Sequence, residues 1–171
     1  MGGKLKGIVS GAAYLDPKVE RLYHRSGIKI RQGYGLTEAS PVIAINRFEP
    51  GGYQRGTVGL PIPGVQVKIA EDGEILVKGP NVMLGYYKDA EATALSIKDG
   101  WLHTGDIGRW EKEDFLVITD RKSNIYKHAS GKFIAPAQIE SLLNHHPLIH
   151  EAMIIGFKRP YTIALVIPHF D

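Results

Sequence analysis

Residues 33–38 carry the densest set of chemically useful groups in this sequence: Gly33-Tyr34-Gly35-Leu36-Thr37-Glu38. The two glycines let the backbone turn sharply and approach a ligand closely, and a tyrosine face can stack on a purine. The Thr37 hydroxyl can hydrogen-bond a phosphate oxygen, and the Glu38 carboxylate is a hard oxygen ligand that suits Mg²⁺. Adenine, phosphate and magnesium together indicate ATP. Taken alone, the segment is more typical of a strand that ends in an ordinary glycine turn.

Three further segments accompany this one in a fixed order. They are Ser10-Gly11-Ala12-Ala13, Trp101-Leu102-His103-Thr104-Gly105-Asp106 and Thr119-Asp120-Arg121-Lys122-Ser123-Asn124-Ile125-Tyr126-Lys127. In this order the four segments resemble the adenylate-forming superfamily of acyl-CoA synthetases, luciferases and peptide-synthetase adenylation domains. The sequences of residues 73–87 and 131–136 resemble those of the bacterial long-chain fatty acid–CoA ligases in particular. The resemblance covers nearly the whole chain.

This resemblance implies an ATP-dependent, AMP-forming ligase that makes an acyl-adenylate and then a thioester with coenzyme A. Thr37 and Glu38 become the catalytic residues, with Glu38 as the metal ligand. The implied cofactors are ATP/AMP, Mg²⁺ and coenzyme A, and a fatty acid is the substrate. Chemistry of this kind depends on charge stabilisation and needs no covalent enzyme nucleophile.

The resemblance also assigns Asp106 to the ribose of the nucleotide. A carboxylate has two acceptor oxygens that can take both ribose hydroxyls, and Gly105 before it leaves room for the sugar. The alternative is a turn aspartate that caps the next strand. Trp101 and His103 in the same segment are predicted to be structural, as a packed aromatic and a partly exposed strand residue.

Arg121 and Ser123 mark the linker to a second domain. By resemblance, the Arg121 guanidinium helps to hold the ribose more firmly than a lysine could. The alternative is a surface ion pair between Asp120 and Arg121, worth about 0–1 kcal/mol. Ser123 occupies the hinge position, where the family usually has Asp or Lys. Such a hinge turns the small domain between the two half-reactions.

Two short segments complete the implied binding residues. Gly11, Ala12 and Ala13 match the family's adenine-contacting Gly-Gly-Ala, and their alternative is a simple exit from a strand. Residues 127–132 stand where the family usually reads K-T-S-G-G-K. There the resemblance assigns the coenzyme A contacts, and Lys132 has the alternative of a solvated surface lysine. The assigned coenzyme A residues are Ser130, Gly131 and Lys132.

Two rival functions stay open. One is an adenylate-forming enzyme that uses another carboxylate or passes the acyl group to a carrier protein. The other is a non-catalytic nucleotide-binding module, favoured by the unusual Ala129-Ser130 pair. The family's T-S-G-T-T-G-x-P-K-G loop and its late catalytic lysine do not occur in this sequence. We therefore expect an internal fragment that is inactive by itself.

The composition fits a globular intracellular protein: 43% of the 171 residues are hydrophobic and 23% are charged. The absence of cysteine excludes disulfides, thiolate metal sites and thiol nucleophiles. Lys and Arg are scattered at a net charge of +3, whereas a nucleic-acid interface would need a basic stripe. No apolar run approaches the roughly 20 residues of a membrane span. We expect a cytoplasmic protein. A peripheral membrane contact of the longer protein to which this fragment would belong stays open, because fatty acids partition into lipid.

The elements that position these residues fall into three predicted blocks. Residues 1–45 form a strand, a helix and a strand, in which Asp16 caps the helix, Pro17 occupies its first turn and Gly27 ends it. This pattern is typical of the end of a doubly wound α/β subdomain, where ligands sit at the carboxyl edge of the sheet.

The second and third blocks differ in character. Residues 46–120 contain short strands and Gly/Pro turns, including a hairpin around Asp72-Gly73, and predict a small distorted β-barrel subdomain. Residues 121–171 predict a hairpin, a helix behind Pro136 and two further strands, the start of a small mobile α+β C-terminal domain. The expected fold class is therefore mixed α/β and α+β.

Overall fold

The structure is a computed structural model that describes residues 3–13, 15–112, 114–128, 133–157 and 159–170. The chain divides into two compact units. The first contains Met1–Thr104 and Gly108–Ile118, and the second contains Gly105–Ile107 and Thr119–Asp171. The predicted mixed α/β class is confirmed. The finer division at residues 45 and 120 stays a prediction.

The first unit begins with the predicted β-α-β arrangement: strand β1 (Ile8–Ser10), helix α1 (Pro17–Arg25) and strand β2 (Ile30–Gly35). The Asp16 carboxylate accepts the Lys18 N–H at 2.6 Å, so the predicted N-cap is confirmed. β1 and β2 are parallel. Because parallel strands end at the same edge of a sheet, the residues that follow β1 lie beside the end of β2.

A short turn and two strands continue this sheet. Thr37–Ala39 form a 3₁₀ helix, η1, and the chain then enters β3 (Val42–Ile45), which runs antiparallel to β2. β4 (Leu60–Pro61) completes the order β1-β2-β3-β4. η1 therefore connects two neighbouring strands, so the position of Thr37 and Glu38 is fixed by the sheet on both sides.

A second sheet has the order β5-β6-β8-β7, with β9 paired to β8. Its strands are β5 (Gln66–Ile69), β6 (Glu74–Lys78), β7 (Ile97–Lys98), β8 (Trp101–Glu111) and β9 (Phe115–Arg121). The predicted hairpin is confirmed as β5 and β6, and the Asp72 carboxylate accepts the Glu74 N–H in its turn at 3.1 Å. Helix α2 (Ala90–Ser96) precedes β7 and was not predicted from the sequence.

The second unit contains the predicted hairpin, helix and strand pair. They are β10 (Tyr126–Lys127), β11 (Phe133–Ile134), α3 (Pro136–Asn144), β12 (Ile149–Ile155) and β13 (Ile163–Pro168). α3 contacts β12, and the Glu140 carboxylate accepts the Ile154 N–H at 2.7 Å. None of the helices in the described ranges has the length and hydrophobicity that a membrane crossing requires.

The hydrophobic core of the first unit lies under η1. Its buried members are Tyr34, Ala39, Ile43, Ala44, Val58, Ile75, Val77, Leu102 and Leu116. Full burial of an aliphatic or aromatic side chain stabilises a fold by about 1.5–3 kcal/mol. Because Tyr34 and Ala39 belong to this core, the backbone is anchored on both sides of Thr37 and Glu38.

A buried polar cluster fixes α1 against the loop after β3. Glu20 on the helix is 7% exposed, and its carboxylate accepts the Tyr53 hydroxyl at 2.5 Å. The Arg31 guanidinium lies 4.0 Å from the centre of the Tyr53 ring, in cation–π geometry. The cluster explains why a glutamate can be buried on an otherwise exposed helix.

Candidate functional site

The end of β2 makes a tight approach to the chain that follows η1. A Cβ atom built on Gly35 would lie 1.6 Å from the Pro41 carbonyl oxygen, so only glycine fits there. A Cβ on Gly33 would lie 3.5 Å from the Ala44 oxygen, which is an ordinary contact. Tyr34 between them is 8% exposed and packs in the core. Its stacking on a purine stays a prediction.

The segment after β1 lies beside this turn, as the parallel strands require. Gly11, Ala12 and Ala13 are all exposed, and a Cβ on Gly11 would lie 3.7 Å from the Gly33 oxygen. Ala12 has a φ of +65°, a left-handed conformation that favours glycine. The structure thus predicts that glycine would occupy this position with less strain than alanine.

Replacing Ala12 with glycine should therefore stabilise the protein by about 0.5–1 kcal/mol, because the relief of left-handed strain exceeds the entropy that glycine adds to the unfolded chain. Urea unfolding of the full-length protein measures the difference. Ala13→Gly is the matched control, since Ala13 is exposed and has a negative φ. It should destabilise by about 0.4–1 kcal/mol. Equal effects of the two variants would contradict the assigned backbone conformation.

The two predicted catalytic residues lie next to each other on η1. The Thr37 side chain is exposed, and Glu38 is half-buried. The Tyr86 hydroxyl donates a hydrogen bond to Glu38 Oε1 at 2.9 Å. This carboxylate raises the pKa of the Tyr86 phenol above its ordinary value of 10.0, because the hydrogen bond requires the phenol's proton, and partial loss of solvation acts in the same direction. At neutral pH Tyr86 is therefore a donor.

Residues 81–86, here called the 81–86 segment, hold the backbone of η1 as well. The Asn81 amide donates to the carbonyl oxygens of Ala39 at 3.0 Å and of Val42 at 2.9 Å. The Met83 N–H donates to the Glu38 carbonyl at 2.8 Å. Sequence reasoning missed these contacts, although the wording of this segment contributed to the resemblance.

A magnesium ion fits this part of the first unit. The described residues contain no cluster of three or more His, Cys, Asp or Glu side chains that could hold a metal alone. Mg²⁺ is commonly bound by one or two carboxylates together with substrate phosphates. Glu38 suits such a site, because it is a half-buried carboxylate whose hydrogen bond from Tyr86 engages Oε1. Thr37 adds an exposed hydroxyl for a phosphate oxygen.

The second unit brings together the two residues assigned to the ribose. Asp106 on β8 is 8% exposed, and Arg121 at the end of β9 places its Nε 3.3 Å from Asp106 Oδ1. Gly105 has a φ of +71°, and its carbonyl accepts the Lys122 N–H at 2.7 Å. The guanidinium thus pairs with Asp106, whereas Asp120 accepts the backbone N–H of Arg121. Asp106 and Arg121 therefore form an ion pair within the second unit.

The remaining assigned residues have simpler surroundings. Ser123 is exposed, and its hydroxyl lies 3.3 Å from Asn124 Oδ1. Its hinge role stays a prediction. Ser130, Gly131 and Lys132 lie outside the described residues.

Trp101 and His103 have the structural surroundings expected of them. The Lys68 ammonium lies 4.1 Å from the centre of the Trp101 ring. His103 Nδ1 lies 3.0 Å from the buried Glu74 carboxylate, and its side chain is 27% exposed. Both side chains therefore pack on the second sheet, as predicted.

Comparison with known proteins points to one family. Residues 1–87 match the AMP-binding enzyme family, and residues 124–171 match the AMP-binding enzyme C-terminal domain. The long-chain-fatty-acid–CoA ligase FadD15 of Mycobacterium bovis is 42% identical over 166 residues, which cover 97% of this chain and 27% of that ligase. The chain thus spans just over a quarter of the curated relatives it matches.

Two solved structures resemble the fold. The O-succinylbenzoate CoA synthetase of Bacillus subtilis, in complex with ATP and magnesium ion, is 32% identical with a TM-score of 0.82, over 96% of this chain and 37% of that chain. The amide bond synthetase McbA of Marinactinospora thermotolerans is 29% identical with a TM-score of 0.81, over 96% and 37% of the two chains.

Proposed function

Because the chain belongs to the AMP-binding enzyme family, we propose that it is part of a ligase that activates long-chain fatty acids for transfer to coenzyme A. In the proposed reaction, a fatty-acid carboxylate attacks the α-phosphorus of ATP and pyrophosphate leaves. The thiol of coenzyme A then attacks the acyl carbon, and AMP leaves. The long-chain fatty acid–CoA ligase relatives support this choice of substrates.

The observation that carries the proposal is the fixed Glu38 carboxylate beside the exposed Thr37 hydroxyl. A magnesium ion bound there would offset the negative charge of the ATP phosphates. Thr37 would donate its hydroxyl to a phosphate oxygen, and Glu38 would hold the ion. Both groups sit on a turn anchored by the core, so little reorganisation is needed when charge develops.

The remaining assignments belong to the same proposal. Asp106 accepts the two ribose hydroxyls, and Arg121 pairs with this carboxylate and adds a donor for the sugar. Gly11, Ala12 and Ala13 present their backbone to the adenine. Ser123 acts as the hinge, and Ser130, Gly131 and Lys132 contact coenzyme A. The protein works in the cytoplasm.

The test is a substrate comparison with the full-length protein that contains this chain. We expect ATP, Mg²⁺ and palmitate to give pyrophosphate release, and added coenzyme A to give palmitoyl-CoA. Benzoate and free amino acids should give neither product. Pyrophosphate release with an aromatic or amino acid alone would favour a ligase for another carboxylate. Nucleotide binding without pyrophosphate release from any acid would favour the non-catalytic module.

The acceptor is tested separately, because one neighbour of similar fold is an amide bond synthetase. With palmitate and ATP present, coenzyme A should consume the acyl-adenylate and simple amines should not. Amide formation in place of the thioester would overturn the coenzyme A assignment and leave the adenylation step intact.

Glu38→Gln should raise the Mg²⁺ concentration for half-maximal adenylation at least about tenfold, because it removes the negative charge that a hard divalent cation prefers in a ligand. The substitution keeps the shape of the side chain and its acceptor for Tyr86. A Mg²⁺ titration of pyrophosphate release measures the change. An unchanged titration curve would assign the metal to another ligand.

A further inference from the structure

Tyr86 is the only described side chain that hydrogen-bonds the Glu38 carboxylate, with 2.9 Å between its hydroxyl and Oε1. The two residues are 48 positions apart, and Tyr86 is 39% exposed. Resting on the function proposed above, we propose that Tyr86 is a positioning residue that holds the Glu38 carboxylate in the orientation that receives the magnesium ion.

The backbone of Tyr86 is itself held by hydrogen bonds to helix α2. Its N–H donates to Thr93 Oγ1 at 2.9 Å, and that hydroxyl donates to the Asp89 carbonyl at 2.7 Å. Asp89 in turn caps α2 by accepting the Ala92 N–H at 2.9 Å. The Tyr86 backbone is therefore hydrogen-bonded to the first turn of α2, which fixes the position from which its ring projects.

The short distance between the backbone at residue 85 and the Thr93 side chain requires a glycine before Tyr86. Gly85 has a φ of +152°, and a Cβ there would lie 2.7 Å from Thr93 Cγ2. Glycine avoids both the clash and the backbone strain. This turn directs the following residue toward η1.

The residues of the 81–86 segment make two kinds of contact with the chain around η1. Asn81 and Met83 hold the backbone of η1 through main-chain carbonyls, whereas Tyr86 holds the Glu38 side chain. A glutamate side chain without a partner populates several rotamers, and fixing it costs conformational entropy. A hydrogen bond from Tyr86 removes most of that cost before a ligand arrives. Loss of the hydroxyl should therefore weaken metal binding and leave the turn folded.

The test uses Mn²⁺ as the probe and the full-length protein saturated with α,β-methylene-ATP, whose α–β linkage cannot be cleaved, so no adenylyl group is transferred. Electron paramagnetic resonance gives the Mn²⁺ dissociation constant. We expect Tyr86→Phe to raise this constant about tenfold, as for other groups that orient a metal ligand. The thermal midpoint should stay close to that of the unaltered protein, because the ring remains and only the hydroxyl is lost.

Tyr87→Phe is the matched control. Tyr87 follows directly in sequence and is 88% exposed. It should leave Mn²⁺ affinity unchanged. Equal losses in the two variants would overturn the role of Tyr86, because removal of either exposed hydroxyl would then act nonspecifically.

A double-mutant cycle separates this inference from the proposed function. If Tyr86 acts through Glu38, Tyr86→Phe should have little further effect on Mn²⁺ binding in a Glu38→Ala protein, which lacks the acceptor for the Tyr86 hydroxyl. Full additivity of the two losses would overturn the inference while Glu38 keeps its metal role, and so would wild-type affinity in Tyr86→Phe alone. Unchanged affinity in Glu38→Ala alone would overturn the metal role itself, and the positioning role with it.

Discussion

Replacing Gly35 with alanine should destabilise the protein by at least about 3 kcal/mol, the upper range for forced overpacking. The added methyl carbon would lie 1.6 Å from the Pro41 oxygen and 2.6 Å from the Pro41 carbonyl carbon. Both are backbone atoms, so no side-chain rotation relieves the clash. The turn between β2 and β3 must open, and the core residues on either side of it must move.

Gly33→Ala is the control for this prediction. It adds the same methyl group to the same strand, but at 3.5 Å from the Ala44 oxygen. Its effect should stay within about 1 kcal/mol. Urea unfolding of the full-length protein compares the two variants. Similar unfolding midpoints would show that the backbone of Gly35 does not lie as close to the Pro41 carbonyl as the structure has it.

The same Gly35 substitution should abolish most adenylation, even in molecules that remain folded. Gly35 is two residues from Thr37 and three from Glu38, and a displacement of about 1 Å at a reacting group can cost a hundredfold in rate. Single-turnover pyrophosphate release at low temperature measures this loss.

Asp106→Ala should weaken ATP binding at least about a hundredfold, because two hydrogen bonds to a charged acceptor are lost at about 1.5–3 kcal/mol each. Asp106 is buried but its partner is accessible: the Arg121 side chain is 73% exposed. The released guanidinium can therefore be solvated, so the variant should fold. Calorimetric titration of the full-length protein with ATP measures the affinity.

A modified nucleotide distinguishes a ribose contact from a structural role. The unaltered protein should bind 2′,3′-dideoxy-ATP far more weakly than ATP, whereas Asp106→Ala should bind the two nearly equally. If the variant still prefers ATP as strongly as the unaltered protein does, Asp106 does not contact the ribose hydroxyls.

The sequence predicted best those elements whose signals are local. The Asp16 cap and Pro17 start α1 as expected, and the alternating residues around Asp72 form the expected β5–β6 hairpin. α2 was missed because it has seven residues and no buried position, so it shows no apolar stripe. His103 was expected in a strand, but the full 11-residue length of β8 was missed because Gly105 and Gly108 interrupt its alternation.

The candidate site shows the same division between local and distant information. Glu38 and Asp106 were found because each sits in a short, recognisable segment. The Tyr86–Glu38 bond and the Arg121–Asp106 pair join residues 48 and 15 positions apart. No local pattern encodes such contacts, since they depend on which distant parts of the chain the fold brings together.

Strand β13 has a consequence for handling the chain in solution. Its apolar side chains Ile163, Leu165, Val166 and Ile167 are 38–55% exposed, on both faces of the strand. Among the described residues only β12 pairs with it, so its other edge offers a row of backbone donors and acceptors. An uncharged apolar edge of this kind promotes strand addition between molecules. A preparation of these 171 residues alone should therefore lose material to aggregates as its concentration or temperature rises.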